Sequence, residues 1–147
     1  MVEIELVQDR ENITLILDPQ KTYVQNLLIQ KEEFEIEGVS LDLSEVTVPS
    51  YFLATIKDHI VPWQTAFLSA QIFSGVKKFV LSGSGHIAGV VNPPEKQKYF
   101  YKTNPALDAS WQEWLENASE TAGSWWGDWA DWIKPYSGKK TKPPASK

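Results

Sequence analysis

The chain has 147 residues, of which 42% are hydrophobic and 22% charged, the balance of a globular domain and not of a disordered segment. Its net charge of −5 excludes a mainly electrostatic nucleic-acid binder, which needs a clustered basic face. Disulfides, thiolate metal sites and thiol nucleophiles are excluded within a chain that has no cysteine, and no apolar run approaches the roughly 20 residues of a membrane span.

The first residues, Met1-Val2-Glu3-Ile4-Glu5, are acidic where an export signal would be basic and then apolar, so the cytoplasm is the expected compartment. Val2, Ile4 and Leu6 alternate with acids, and Ile13 to Leu17 forms a second apolar run. Asp9-Arg10-Glu11-Asn12 between them predicts the turn of a hairpin. Asp18-Pro19 starts a predicted helix carrying Tyr23, Leu27 and Leu28 as its apolar stripe. Phe34 and Ile36, then Val39, Leu41 and Leu43, alternate on either side of Gly38 and predict a second hairpin.

Ser50 to Thr55 is a short, nearly unbroken apolar run, which suits a strand buried on both faces of a parallel sheet. A helix follows from about Pro62 to Phe73, with Trp63, Ala66, Phe67 and Ala70 at helical spacing. Gly75 closes it, and Lys78 to Ser82 is a second buried strand. Strand, helix and strand linked by a few residues make a parallel βαβ unit, so the fold class is α/β. Pro93-Pro94 marks a loop, and 106–118 and 124–134 read as two C-terminal helices. Residues 138–147 hold Lys139, Lys140, Lys142 and Lys147 with no acid and read as a disordered basic tail.

In open α/β sheets the working residues gather in loops beyond the carboxyl ends of the strands. Asp58 and His86 stand in two such loops, one after each strand of the βαβ unit. Acid then base in that order is the back half of a nucleophile–acid–base triad, in which the imidazole moves the proton and the carboxylate holds its tautomer. The alternative is that Asp58 caps the following helix and His86 is an ordinary loop histidine. His59 either tunes the site or anchors the loop. With two histidines and no cysteine, no zinc site is expected. Ser84 lies in Ser82-Gly83-Ser84-Gly85-His86 and not in a serine elbow, and Gly83, Gly85 and Gly89 are spaced one residue too widely for a dinucleotide loop.

Six of the seven tryptophans fall between Trp111 and Trp132. Trp111 and Trp114, and then Trp125, Trp129 and Trp132, recur at helical spacing, with Trp126 widening the second face. Two readings stand: core faces packed on the sheet, or an exposed aromatic platform for a polymer or a partner.

The runs Asp58-His59-Ile60-Val61-Pro62-Trp63, Gly83-Ser84-Gly85-His86-Ile87-Ala88-Gly89-Val90-Val91-Asn92-Pro93-Pro94 and Gly123-Ser124-Trp125-Trp126 resemble the C-terminal part of the polyhydroxyalkanoate synthases, the class I type in particular. The likeness extends back over Val39 to Ala54 and to Tyr23, while residues 1–20 do not share it. The domain reading is thus a segment 1–20 unlike the family, a synthase-like portion 21–137, and the tail 138–147.

The resemblance implies the C-terminal portion of an α/β-hydrolase fold. It implies an acyltransferase that polymerises (R)-3-hydroxyacyl-CoA into polyester, with CoA released and the growing chain held on a cysteine. By position, Asp58 matches the triad acid and His86 the base, and His59, Trp63, Trp125 and Trp126 match motif positions. No cofactor is implied, since the CoA thioester is the substrate. A homodimer or a second synthase subunit and the surface of a cytoplasmic polyester granule are the implied partners. The family's nucleophile sits in a G-x-C-x-G elbow upstream of this region, and without a cysteine the chain is expected to be inactive alone. The rival reading is a non-catalytic module that binds granules or a synthase subunit through Trp125, Trp126 and Trp129. A serine esterase or depolymerase would need a serine elbow, and a carbohydrate-binding module does not suit a βαβ pattern.

Overall fold

The computed structural model describes residues 39–139 and 141, together with the backbone of the short strands β1 (Val7–Asp9), β2 (Asn12–Thr14) and β3 (Glu35–Ile36). The predicted helix after Asp18-Pro19 and most of the basic tail lie outside the described residues. The chain divides into two units: residues up to Val48 with Ile72–Val76, and Pro49–Gln71 with Lys77–Lys147.

In the first unit a hairpin forms at each expected turn, while the predicted strand residues Val2, Ile4 and Leu6 and those from residue 15 to 17 lie outside the described residues. β1 pairs antiparallel with β2, Val7 opposite Thr14, and β3 pairs with β4 (Val39–Ser40), Ile36 opposite Val39. The second hairpin is shorter than the alternation suggests, because Leu43–Glu45 winds into a 3-10 turn whose N-cap, Asp42, accepts from the Ser44 N–H at 2.8 Å. Gly75 does more than end a helix. The Ser74 and Gly75 N–H groups donate to the Val46 carbonyl, and a Cβ on Gly75 would lie 2.3 Å from the Thr47 carbonyl oxygen.

The second unit carries a four-stranded mixed sheet, ordered β5 (Ser50–Thr55), β6 (Lys77–Ser82), β7 (Phe100–Thr103), β8 (Ser119–Ala122). β5 and β6 run parallel, Phe52 beside Phe79, joined by the crossover helix α1 (Trp63–Ile72); β7 and β8 extend the sheet antiparallel. The βαβ unit is as expected. β5 is fully buried only at Ala54 and Thr55, however, so its first half is less covered than the apolar run implies.

Successive strand residues point to opposite faces. On one face Phe79 meets Phe67 and Trp63 of α1 and Trp114 of α3 (Trp111–Glu116). Phe67, Phe79 and Trp114 are 0–1% exposed, with the Phe67–Phe79 and Phe79–Trp114 rings edge to face at 5.2 Å. On the other face Tyr51 and Lys78, neighbours in register, both reach Asp128 of α4 (Trp126–Ile133).

The first C-terminal helix is shorter than the predicted 106–118. Gln71 donates to the carbonyls of Leu107 and Ala109, and Asn104 accepts from the Ala106 N–H, so residues 104–110 are held as a loop. The helix then starts at a capping box, Ser110 with Glu113. Among the described residues no helix is long and apolar enough to cross a membrane.

Candidate active site

The parallel pairing of β5 and β6 continues past the strand ends. Ile56 donates to the Ser82 carbonyl at 2.9 Å and Lys57 to the Ser84 carbonyl at 3.0 Å, so the two loops leave the sheet side by side. Ser84 takes a left-handed backbone (φ 74°) as the second loop turns away.

These loops bring Asp58 and His86 together, with His86 Nδ1 3.9 Å from Asp58 Oδ1. The same oxygen accepts the N–H groups of Ile60 at 2.9 Å and Val61 at 3.0 Å, which fixes the carboxylate on its loop. Those two donors, Val61 first, hold the Asp58 carboxyl below the ordinary carboxylate range, with His86 and His59 adding to the effect. Asp58 therefore closes the turn leading into α1 rather than capping α1 itself, and it faces His86 at the same time. An imidazole beside a fixed carboxylate at the carboxyl edge of a parallel strand pair can accept a proton, and the carboxylate can stabilise the imidazolium that results.

His59 is exposed, with its ring centroid 5.4 Å from that of His86. Trp63, expected near the site, is a core residue at 6% exposure, with its ring against Phe79, Trp111 and Trp114. Among the described residues no three His, Asp or Glu side chains are placed to hold a metal.

After His86 the chain forms α2 (Ala88–Val91), a short helix. Gly89 sits against the strand ends: a Cβ there would lie 2.4 Å from the Gly83 carbonyl oxygen and 2.7 Å from the Thr55 methyl. Ser82 donates to the Gly89 carbonyl at 2.9 Å. The Trp125 indole N–H reaches the Gly89 and Val90 carbonyls, both at 3.1 Å, and that of Trp126 reaches the Val91 carbonyl at 3.0 Å. Trp125 is half-buried, while Trp126 and Trp129 are 42% and 37% exposed.

No family model matches the chain. It is 46% identical over 118 residues to the poly(3-hydroxyalkanoate) polymerase subunit PhaC of Rhizobium etli, covering 80% of the chain and 18% of that protein. The chain is homologous to a segment of the poly(3-hydroxyalkanoate) polymerases. Identity to the subunit PhaC of Cupriavidus necator is 45% over 125 residues, 85% of the chain and 21% of that protein. The poly(3-hydroxyalkanoate) polymerase of Methylorubrum extorquens is 42% identical over 113 residues, 76% of the chain and 18% of that protein. The chain thus spans about a fifth of the length of the polymerases it matches. A mixed sheet built on a parallel βαβ unit, with helices on its faces, is consistent with the C-terminal portion of an α/β-hydrolase fold.

The polymerase-like motifs seen in sequence fall on these contacts. What the sequence did not reveal is that Trp125 and Trp126 turn their indole N–H groups onto the carbonyls of α2. The one available signal was Pro93-Pro94 after Gly89 to Asn92, a run of carbonyls followed by residues with no N–H to offer.

Proposed function

We propose that this chain supplies the acid and base of a class I polyhydroxyalkanoate synthase, an acyltransferase that polymerises (R)-3-hydroxyacyl-CoA. The observation that carries the reading is Asp58 and His86 brought together at the carboxyl ends of β5 and β6, with Asp58 pinned by two backbone donors. The relatives' names support the substrate class.

In this reading His86 takes the proton of a cysteine thiol that lies outside this chain. The thiolate attacks the thioester carbonyl, the tetrahedral adduct collapses, and the carbon–sulfur bond to CoA breaks. The imidazolium returns its proton to the departing CoA thiolate, leaving an acyl-cysteine. His86 then deprotonates the 3-hydroxyl of an incoming 3-hydroxyacyl-CoA, the alkoxide attacks the acyl-cysteine carbonyl, the carbon–sulfur bond to the cysteine breaks, and the imidazolium returns its proton to the cysteine thiolate; Asp58 stabilises the imidazolium in both steps. The polyester accumulates as a granule in the cytoplasm, with CoA as substrate carrier and no further cofactor. The chain by itself gives no turnover, because it has no cysteine to acylate.

The test exchanges the matching segment of the Cupriavidus necator polymerase subunit for this chain and follows CoA release from an (R)-3-hydroxyacyl-CoA with a thiol reagent. The expected result is release by the chimera, none by the chain alone, and a loss of about a hundredfold or more in His86→Ala and Asp58→Ala chimeras. Undiminished release in His86→Ala would sink the proposal.

A second reading, attachment to the granule surface or to a partner subunit, is favoured by the exposed rings of Trp126 and Trp129. It expects granule co-sedimentation that survives His86→Ala and fails in Trp126→Ala with Trp129→Ala.

A further inference from the structure

We infer that the segment Ser124-Trp125-Trp126 is the positioning device for His86, acting through α2; this rests on the reading of His86 as the base. A helix leaves its last four carbonyls without intrahelical partners. In α2 these belong to Gly89, Val90, Val91 and Asn92. The residues that would ordinarily turn back and donate to them are Pro93 and Pro94, which have no N–H.

Ser82 Oγ reaches the Gly89 carbonyl, and three consecutive side chains complete the set of donors. Trp125 Nε1 donates to the Gly89 and Val90 carbonyls at 3.1 Å each, Trp126 Nε1 to Val91 at 3.0 Å, and Ser124 Oγ to Asn92 at 2.6 Å. Asn92 Nδ2 returns a bond to the Gly123 carbonyl at 3.3 Å. An indole offers one donor and no acceptor, so these tryptophans suit bare carbonyls and little else polar.

The clamp presses α2 onto the strand ends. Gly89 lies so close to Gly83 at the end of β6 and to Thr55 at the end of β5 that no side chain fits between them. His86 is three residues ahead of Gly89, and the Gly89 N–H donates to the Gly85 carbonyl at 2.8 Å. The seat of α2 therefore sets where the imidazole stands relative to Asp58, and the 3.9 Å approach depends on donors some 40 residues further along the chain. Ser124, Trp125 and Trp126 are positioning residues: they touch the backbone behind the base and not the reacting atoms.

The test uses the full chain labelled with ¹⁵N on the histidine rings, read by long-range proton–nitrogen correlation at a pH where the ring is neutral. With Nδ1 turned to Asp58, His86 should populate the Nδ1–H tautomer. Trp125→Phe and Ser124→Ala should each lower the ratio of Nδ1–H to Nε2–H by about threefold, and Ser124→Thr, which keeps the hydroxyl, should restore it. Trp129→Phe should leave the ratio unchanged whatever it does to the melting temperature.

Asp58→Asn separates the two levels. If it leaves the tautomer unmoved, the acid–base pair itself is wrong. If it moves the tautomer while Trp125→Phe, Trp126→Phe and Ser124→Ala do not, the clamp is wrong and the pair stands. Should Trp125→Phe fail to fold, Ser124→Ala, which removes a single oxygen, decides.

Discussion

The two tryptophan runs are alike in spacing and opposite in use. Trp114, with Trp63 and Trp111 around it, lies on the Phe79 face of the sheet, where aromatic rings meet edge to face and water is excluded. Trp125, Trp126, Trp129 and Trp132 belong to the Tyr51–Lys78 face, where α4 is held by an ionic contact and the rings stay partly wet. The one indole N–H of the inner run with a described partner, Trp114, bonds the Asn104 carbonyl in a neighbouring loop, whereas those of Trp125 and Trp126 in the outer run bond the carbonyls of α2, the helix after His86. The inner run holds the domain together. The outer run leaves Trp126 and Trp129 partly exposed and meets the backbone of α2 through Trp125 and Trp126.

The largest effect expected from this contrast is at Trp114. Trp114→Ala empties the centre of the inner cluster and should cost about 3–5 kcal/mol, read as the denaturant midpoint at constant slope. Next comes the ionic contact of α4. Asp128→Ala strips a carboxylate from both Tyr51 and Lys78 and should cost about 2 kcal/mol by the same measurement. It should also let the Tyr51 phenol ionise more easily, since burial first and Asp128 second push that group up. A smaller loss, about 1 kcal/mol, is expected for Ser110→Ala, which opens the capping box of α3. Trp129→Ala should stay within about 0.5 kcal/mol, and a larger loss would erase the distinction between the two runs.

The pH dependence tests the site loop. Asp58 is held below its unfolded value, so it binds fewer protons folded than unfolded. Its contribution is complete above the ordinary carboxylate range and is lost as pH falls through the lowered folded value. The melting temperature of the parent chain should therefore drop more steeply below about pH 4 than that of Asp58→Asn, and the two curves should converge in acid.

How much of this was legible follows from where burial is two-sided. β5, α1 and β6 were readable because each is an apolar run bounded by Pro62, Gly75 or the glycines after Ser82. β7 and β8 were not. Phe100 to Thr103 holds only two apolar side chains, and Ser119-Glu120-Thr121-Ala122 is a fully exposed edge strand in which polar residues show no inward face. The meeting of Asp58 and His86 was legible because strand order alone places both loops on one edge. The role of Trp125 and Trp126 was not, because helical periodicity reports where a ring points and says nothing of which carbonyl its N–H finds.

The ladder between β5 and β6 runs on through Ile56 with Ser82 and Lys57 with Ser84, beyond the last strand residues. Those bonds close only after the chain has looped through α1, a non-local contact whose closure entropy slows folding. The pairing of Asp58 with His86 thus depends on that ladder, and a chain with its helices formed and these two strands unpaired would have no acid–base pair.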